Sequence, residues 1–262
     1  MRKCFRHLSY AALMTLAVSV AAFAQADFQW RGALGQGQSV EIKGINGDVH
    51  ATVSQSGQVE VTARRTARRS NPADVKIEVV PHSGGVTICA VYPSSSGQAN
   101  TCEPGTGGGR NSTRDNDTVV NFEVRVPPGV GLIGRTVNGE VEAESLQSDV
   151  QAHTVNGSVK VSTTGLATAA TVNGSVNATM GRADWPDGAD FKTVNGGITL
   201  TLPSVFDADL RADTLNGSIT SDFPITMTGA MTPRTLRGTV GAGGHTLTLS
   251  TVNGSIKLLR AQ

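Results

Sequence analysis

From about residue 38 onward the chain is a series of short segments in which apolar and polar residues alternate. That is the period-two pattern of half-buried β-strands. Ser39 to Ile45, Asp48 to Val53, Gln58 to Ala63, Val75 to Val80, Val86 to Val91 and Thr118 to Val126 read as strands. Val, Thr and Ile dominate them, with Gly, Asn and Pro at their ends. Apolar recurrence at the helical period of 3.6 is almost absent after residue 26, so the pattern predicts an all-β protein.

Past residue 131 the pattern becomes a repeat. Thr136-Val137-Asn138-Gly139 recurs at Thr154-Val155-Asn156-Gly157, Thr171-Val172-Asn173-Gly174, Thr193-Val194-Asn195-Gly196, Thr214-Leu215-Asn216-Gly217 and Thr251-Val252-Asn253-Gly254. Thr235-Leu236-Arg237-Gly238 is a degenerate copy, and Gly44-Ile45-Asn46-Gly47 stands alone near the beginning. Successive asparagines, with Arg237 standing in once, are 18, 17, 22, 21, 21 and 16 residues apart. A period near 20 residues is the mark of a solenoid or β-array.

Asn-Gly is also the strongest short signal for a hairpin turn. A two-residue hairpin, however, would place Val155 on one face with Ser158 and Lys160, and Val252 with Ser255 and Lys257. A corner that bends without reversing removes this conflict. It lets the residue before Asn and the third residue after it both point inward; the latter set is Val141, Val159, Val176, Ile198, Ile219, Val240 and Ile256. The expected fold is a single-chain β-solenoid, β-helix-like, with corners at Asn46-Gly47, Asn138-Gly139, Asn156-Gly157, Asn173-Gly174, Asn195-Gly196, Asn216-Gly217 and Asn253-Gly254. Stacking at about 4.8 Å would align the asparagines into an amide ladder and the Thr and Ser rows into further cross-strand hydrogen bonds. The corner glycines are expected in a left-handed conformation where backbone meets backbone. Arg237 is expected to break the ladder in the sixth coil. Residues 27–130 form an N-terminal β region with one outlying coil, capping a solenoid of residues 131–262 with which it makes one continuous fold.

The first 26 residues read as a secretory signal. Arg2, Lys3, Arg6 and His7 form a basic start, Leu8 to Phe23 is apolar, and Ala24-Gln25-Ala26 predicts cleavage between Ala26 and Asp27. No membrane span is expected after its removal, and the setting is periplasm or cell surface. Loss of residues 1–26 takes three basic and no acidic residues, leaving 19 against 21 and a formal charge of −2. That balance argues against nucleic acid as a partner. The cluster Arg64, Arg65, Arg68 and Arg69 reads as a solvated strand end or as a contact for an acidic envelope polymer. Cys89 and Cys102 remain, separated by a Pro/Ser/Gly-rich loop; in an oxidising compartment such a pair reads as a disulfide.

Catalytic constellations are absent from the sequence, and it points to no cofactor and no metal. Gly32 to Gly37 superficially fits a Gly-rich fingerprint but lacks a βαβ context. Asp115, Asn116 and Asp117 do not have the spacing of a calcium loop and read as turn chemistry. His153 reads as a surface residue. Glu140, Glu142 and Glu144 alternate along one strand, so two of them could serve acid–base chemistry on a glycoside; a charged, soluble face that blocks edge pairing accounts for them more simply.

Val120 to Val130, with its Val-Pro-Pro-Gly lead-in, is followed by Arg135-Thr-Val-Asn-Gly-Glu-Val-Glu-Ala and further Thr-Val-Asn-Gly-Ser-Val units. This series resembles a bacterial exported family of unknown function labelled “putative adhesin”, related to the head GIN domains, over roughly residues 38–258. The resemblance implies a β-solenoid-like fold and an envelope or surface setting, and transfers no binding residues. The expected function is a non-enzymatic envelope or surface protein that binds or scaffolds a partner, either an envelope polysaccharide or a protein. A carbohydrate-active β-helix enzyme and a periplasmic partner of a membrane-bound regulator are the alternatives.

Overall fold

The computed structural model describes residues 28–94, 97–106, 110, 112–113, 115–227 and 232–261. The expected signal peptide and its Ala26/Asp27 cleavage point lie outside them. The described chain is an all-β solenoid of two facing sheets, with ten strands in one and eleven in the other. A rung is one strand of each sheet, joined at an Asn-Gly corner. In spatial order the rungs are Ser39–Lys43 with Val49–Val53, Gly131–Arg135 with Val141–Leu146, and Val150–His153 with Val159–Thr163. Ala167–Ala170 with Val176–Met180 and Ala189–Lys192 with Ile198–Leu202 come next. Thr246–Asn253 with Ile256–Arg260 and Ala208–Asn216 with Ile219–Ser221 complete the stack. We name each rung by its asparagine.

Every pairing between these rungs is parallel. Antiparallel strands close both sheets at the N-terminal end and one sheet at the other, where the second sheet ends on the short parallel strand Ile219–Ser221. At the N-terminal end Gly85–Val91 and Val119–Val126 stack beside the Asn46 rung; Lys76–His82, Val59–Thr66 and Phe28–Gly32 then add antiparallel. At the other end Thr235–Val240 and Thr226–Met227 fold back against Ala208–Asn216.

The core is a narrow seam between the sheets. Val141, Val159, Val176, Ile198, Ile256 and Ile219 line one wall, and Ala152, Ala169, Phe191, Leu249 and Ala212 the other, all buried. Their inward direction follows from strand alternation. Where small residues leave room, Trp185 fills it edge-on to Phe191 with ring centroids 6.4 Å apart, its indole N–H donating to the Ala167 carbonyl.

Four expectations change. The residue before Asn points outward in six of the seven rungs, all but that of Ile45: Val137, Val155, Val172, Val194 and Val252 are 37–38% exposed and Leu215 is 59% exposed. The inward residue is the threonine one position earlier, 4–6% exposed at Thr136, Thr154, Thr171, Thr193, Thr214 and Thr251. Second, the corner glycines are not united by a left-handed backbone; Gly139, Gly196, Gly217 and Gly254 have no positive φ. Close approach is the shared constraint. A Cβ on any of the six glycines from Gly139 to Gly254 would sit 1.9–2.1 Å from the neighbouring rung's glycine carbonyl oxygen. Third, Thr235-Leu236-Arg237-Gly238 is no corner. It lies in the antiparallel end strand, where Arg237 pairs with Asp213 at 3.2 Å, so the amide ladder is unbroken. Fourth, the last rung of the sequence, Asn253, is inserted between the Asn195 and Asn216 rungs.

These geometries set an order of mutational cost. Gly174→Ala is expected to destabilise the fold by about 1–3 kcal/mol through overpacking, whereas Val172→Thr should stay within about 0.5 kcal/mol. Urea unfolding midpoints check the pair, and coincident midpoints would refute the close-approach account.

Candidate binding surface

The corner edge is the most regular surface of the molecule. Along it each threonine hydroxyl donates to the glycine carbonyl of the neighbouring rung at 2.7–2.9 Å, from Thr136 to Gly47 through Thr214 to Gly254. That bond satisfies a carbonyl which the tight glycine contact would otherwise bury. Beside it each asparagine Nδ2 donates to the neighbouring Oδ1 at 2.7–2.8 Å, in the order Asn46, Asn138, Asn156, Asn173, Asn195, Asn253, Asn216. All seven predicted asparagine corners therefore fall on one line. An amide carries two donor hydrogens and two acceptor lone pairs, so the ladder bonds leave each interior asparagine one of each for an external ligand. The outward valines run parallel to this row, and the two together make an amphipathic stripe.

On the outer face of the ten-stranded sheet, which holds Val49–Val53, Val141–Leu146 and Val159–Thr163, register brings together residues that are distant in sequence. His50 is the direct partner of Glu142, and Glu142 of Lys160. His50 Nδ1 lies 3.5 Å from Glu142 Oε2, and Lys160 Nζ lies 2.8 Å from Glu140 and 3.8 Å from Glu142. The ammonium is held charged above its ordinary range by hydrogen bonding to Glu140 first and the charge of both carboxylates next. The ligand atoms of His50, Glu142 and Glu144 fall within 4.8 Å of one another, on a solvent-facing surface. Sequence inspection found the glutamates and missed His50, because only the stacking of the Asn46 rung on the Asn138 rung joins them. Beyond this cluster the same face continues in neutral polar side chains, Asn177, Thr179, Thr199 and Thr201.

The other sheet carries a buried polar cluster beneath the loop that follows Cys89. Cys89 and Cys102 are bridged, with Cα atoms 5.7 Å apart. The segment just past the bridge meets Glu41 at Gly105, and Glu41 is 3% exposed. Its carboxylate accepts from Thr87 Oγ1 at 2.9 Å, from Gly105 N at 2.9 Å and from Arg135 Nε at 3.1 Å. A buried carboxylate with this many donors is fixed rather than reactive. Asp117 plays a similar part at the cap, accepting from the backbone N–H groups of Ser70, Arg68 and Arg69. The Ser70 bonds above all hold its carboxyl down at about 2. The turn chemistry expected for the 115–117 segment is thus explained, and the basic cluster is partly engaged, with Arg65 Nη1 on the Val75 carbonyl at 2.8 Å.

His153, expected at the surface, is instead half-buried beside Arg135. Burial first, and the Arg135 charge second, push its pKa down to about 4. Its unfolded value is near 6.5, so the unfolded chain binds the extra proton first. Stability should be complete above about pH 6.5 and fall as the pH drops towards about 4, and His153→Gln should flatten that slope. Unfolding midpoints of the two proteins at pH 7 and pH 4.5 check this; identical losses would refute it.

No curated protein sequence matches the chain. Among solved structures, a “putative cell adhesion protein” from Clostridium sporogenes aligns with a TM-score of 0.44 at 9% identity, covering 89% of this chain and 99% of its own. A “putative adhesin” from Bacteroides fragilis aligns with a TM-score of 0.37 at 10% identity, covering 89% and 96% respectively. The family model described as Toastrack DUF4097 matches residues 135–259, the run of Asn-Gly rungs from Asn138 onward, and over that run the chain is similar to the Toastrack DUF4097 family.

Proposed function

We propose that this protein is an exported, non-enzymatic binding module of the cell envelope whose corner edge holds an extended polysaccharide. The observation that carries this reading is the amphipathic stripe, with one amide donor, one amide acceptor and one exposed valine or leucine at nearly every rung. Sugar units present the complementary pair, hydroxyl edges and an apolar ring face. A rigid array at about 4.8 Å spacing binds a polymer by summing many weak contacts, so affinity grows with ligand length. The bridged Cys89–Cys102 pair suits an oxidising, extracytoplasmic compartment.

Glu140 and Glu142 are the groups on which a glycosidase reading would rest. Both carboxylates converge on Lys160, an ion-pair cluster on an exposed strand face that accounts for them without a substrate. Among the described residues no helix is long and apolar enough to cross a membrane.

Residues 27–262 should co-sediment with isolated envelope polysaccharide and release no reducing sugar. Val155→Glu/Val172→Glu, which places charge on the stripe and leaves the core untouched, should weaken pelleting at least about tenfold, the loss of roughly 1.4 kcal/mol, with an unchanged circular dichroism spectrum. Sugar release would overturn the reading and direct attention to Glu140 and Glu142. Equal pelleting of the variant would remove the stripe as the binding edge, and no pelleting of either protein would favour a protein partner.

A further inference from the structure

The segment 203–207 carries the chain from the Asn195 rung past an adjacent position in the stack to the Asn216 rung. The skipped position is filled last, by the Asn253 rung. Residues 208–260 are accordingly a unit in themselves. Ala208–Asn216 is flanked by Thr235–Val240 on one side and Thr246–Asn253 on the other, and Ile219–Ser221 pairs with Ile256–Arg260. Within it the Arg260 guanidinium lies 5.4 Å over the Phe223 ring, and Phe206 of the connector meets Phe223 edge-to-face at 4.9 Å.

What joins this unit to the rest of the solenoid is one rung junction of the general kind. Asn253 Nδ2 donates to Asn195 Oδ1 and Thr251 Oγ1 to the Gly196 carbonyl, each at 2.8 Å. Gly196 N donates to Asn253 O at 2.9 Å and Ile198 N to Ser255 O at 3.0 Å. Ile256 and Leu258 stack on Ile198 and Leu200 in register. The same bonds occur between the Asn138 and Asn156 rungs and between the Asn156 and Asn173 rungs. No described ion pair crosses the junction; the Arg237–Asp213 pair lies inside the unit. The contacts therefore specify a rung and do not distinguish one copy of the chain from another. The connector also has room to change course: Val205 is 85% exposed and borders an open cleft of about 460 Å³ shared with Gly243 and Gly244.

We propose that the outer edge of the Asn195 rung is a docking surface for a second copy of this chain, and that residues 208–260 exchange between two copies about a hinge at 203–207. Each Asn253 rung then lies on the partner's Asn195 rung, and every contact of the monomer is kept except those of the hinge. This is domain swapping, in which the closed monomer and the exchanged dimer differ mainly by effective concentration. A short connector gives an effective concentration in the millimolar range, so the monomer dominates in dilute solution and the dimer gains as protein concentration approaches that range.

Thr199 and Lys257 are direct register partners across the junction and face outward, which permits a test on the full chain. Thr199→Cys and Lys257→Cys proteins, mixed, refolded together at about 10 µM to about 1 mM and oxidised, should give a covalent heterodimer of about twice the chain mass. Its yield should rise with concentration, and neither single variant alone should give it. Thr199→Cys/Lys257→Cys in one chain should close internally and so establishes that the geometry is competent; if it does not, Thr201 and Leu259, the next register pair but one, carry the same test. Internal closure without any heterodimer across the range overturns the proposal. Equal covalent dimer from a single variant does so too, because random surface contact would then explain the band.

Discussion

At each corner two backbones approach so closely that neither can carry a side chain. A Cβ there would come within about 2 Å of the next rung's carbonyl oxygen, which only glycine avoids. Much of the corner follows from that contact. The approach would bury the glycine carbonyl away from water, where an unmade hydrogen bond costs about 1–3 kcal/mol, and the inward threonine of the next rung supplies its hydroxyl. The same spacing brings successive asparagine amides to hydrogen-bonding distance. Glycine, threonine and asparagine are thus three parts of one interaction, repeated from rung to rung. Stability in such a stack is largely a sum of similar nearest-neighbour junctions.

Uniform junctions do not say where the stack should begin, end or keep its register, so that information has to come from parts that are not uniform. At the N-terminal end it comes from antiparallel strands, from the Cys89–Cys102 bridge and from the buried Glu41 carboxylate, whose donors Thr87, Gly105 and Arg135 come from three separate segments. At the other end it comes from the fold-back strand, with Arg237 on Asp213. These contacts pin segments that lack the Asn-Gly motif onto the terminal rungs. The polar clusters are best understood as fixing order and ends, and the corners as supplying most of the repeated binding energy between rungs.

The solenoid, its seven asparagine corners and the disulfide were legible in the residues because each follows from local pattern: a fixed motif, an even cysteine pair, a row of β-branched residues three positions after Asn. The direction of Val155 and its equivalents was read the wrong way, although the information was present. Val150, Ala152 and Thr154 alternate inward, as do Leu247, Leu249 and Thr251. Period two carried forward to the corner puts threonine inside and valine outside; treating the corner as an isolated turn hid this. Stacking order was a different matter. Nothing in Thr251-Val-Asn-Gly marks it as the neighbour of Asn195 and not of Arg237, since every rung offers the same groups. His50 beside Glu142 was invisible for the same reason, being a consequence of which rungs meet.

The outward valine position remains to be accounted for. Valine there contributes nothing to the core, and a threonine would serve the strand as well, since both are β-branched. Single exposed apolar residues call for no explanation, but a row in register is a continuous apolar strip, which monomeric proteins seldom leave to water. Six of the seven rungs expose Val or Leu at this point, and in the seventh Ile45 is covered. The fold fixes the inward side of the corner through glycine, threonine and asparagine. It leaves the outward side free, and a free position occupied by the same class of residue along the stack is the feature on which the proposed binding edge rests.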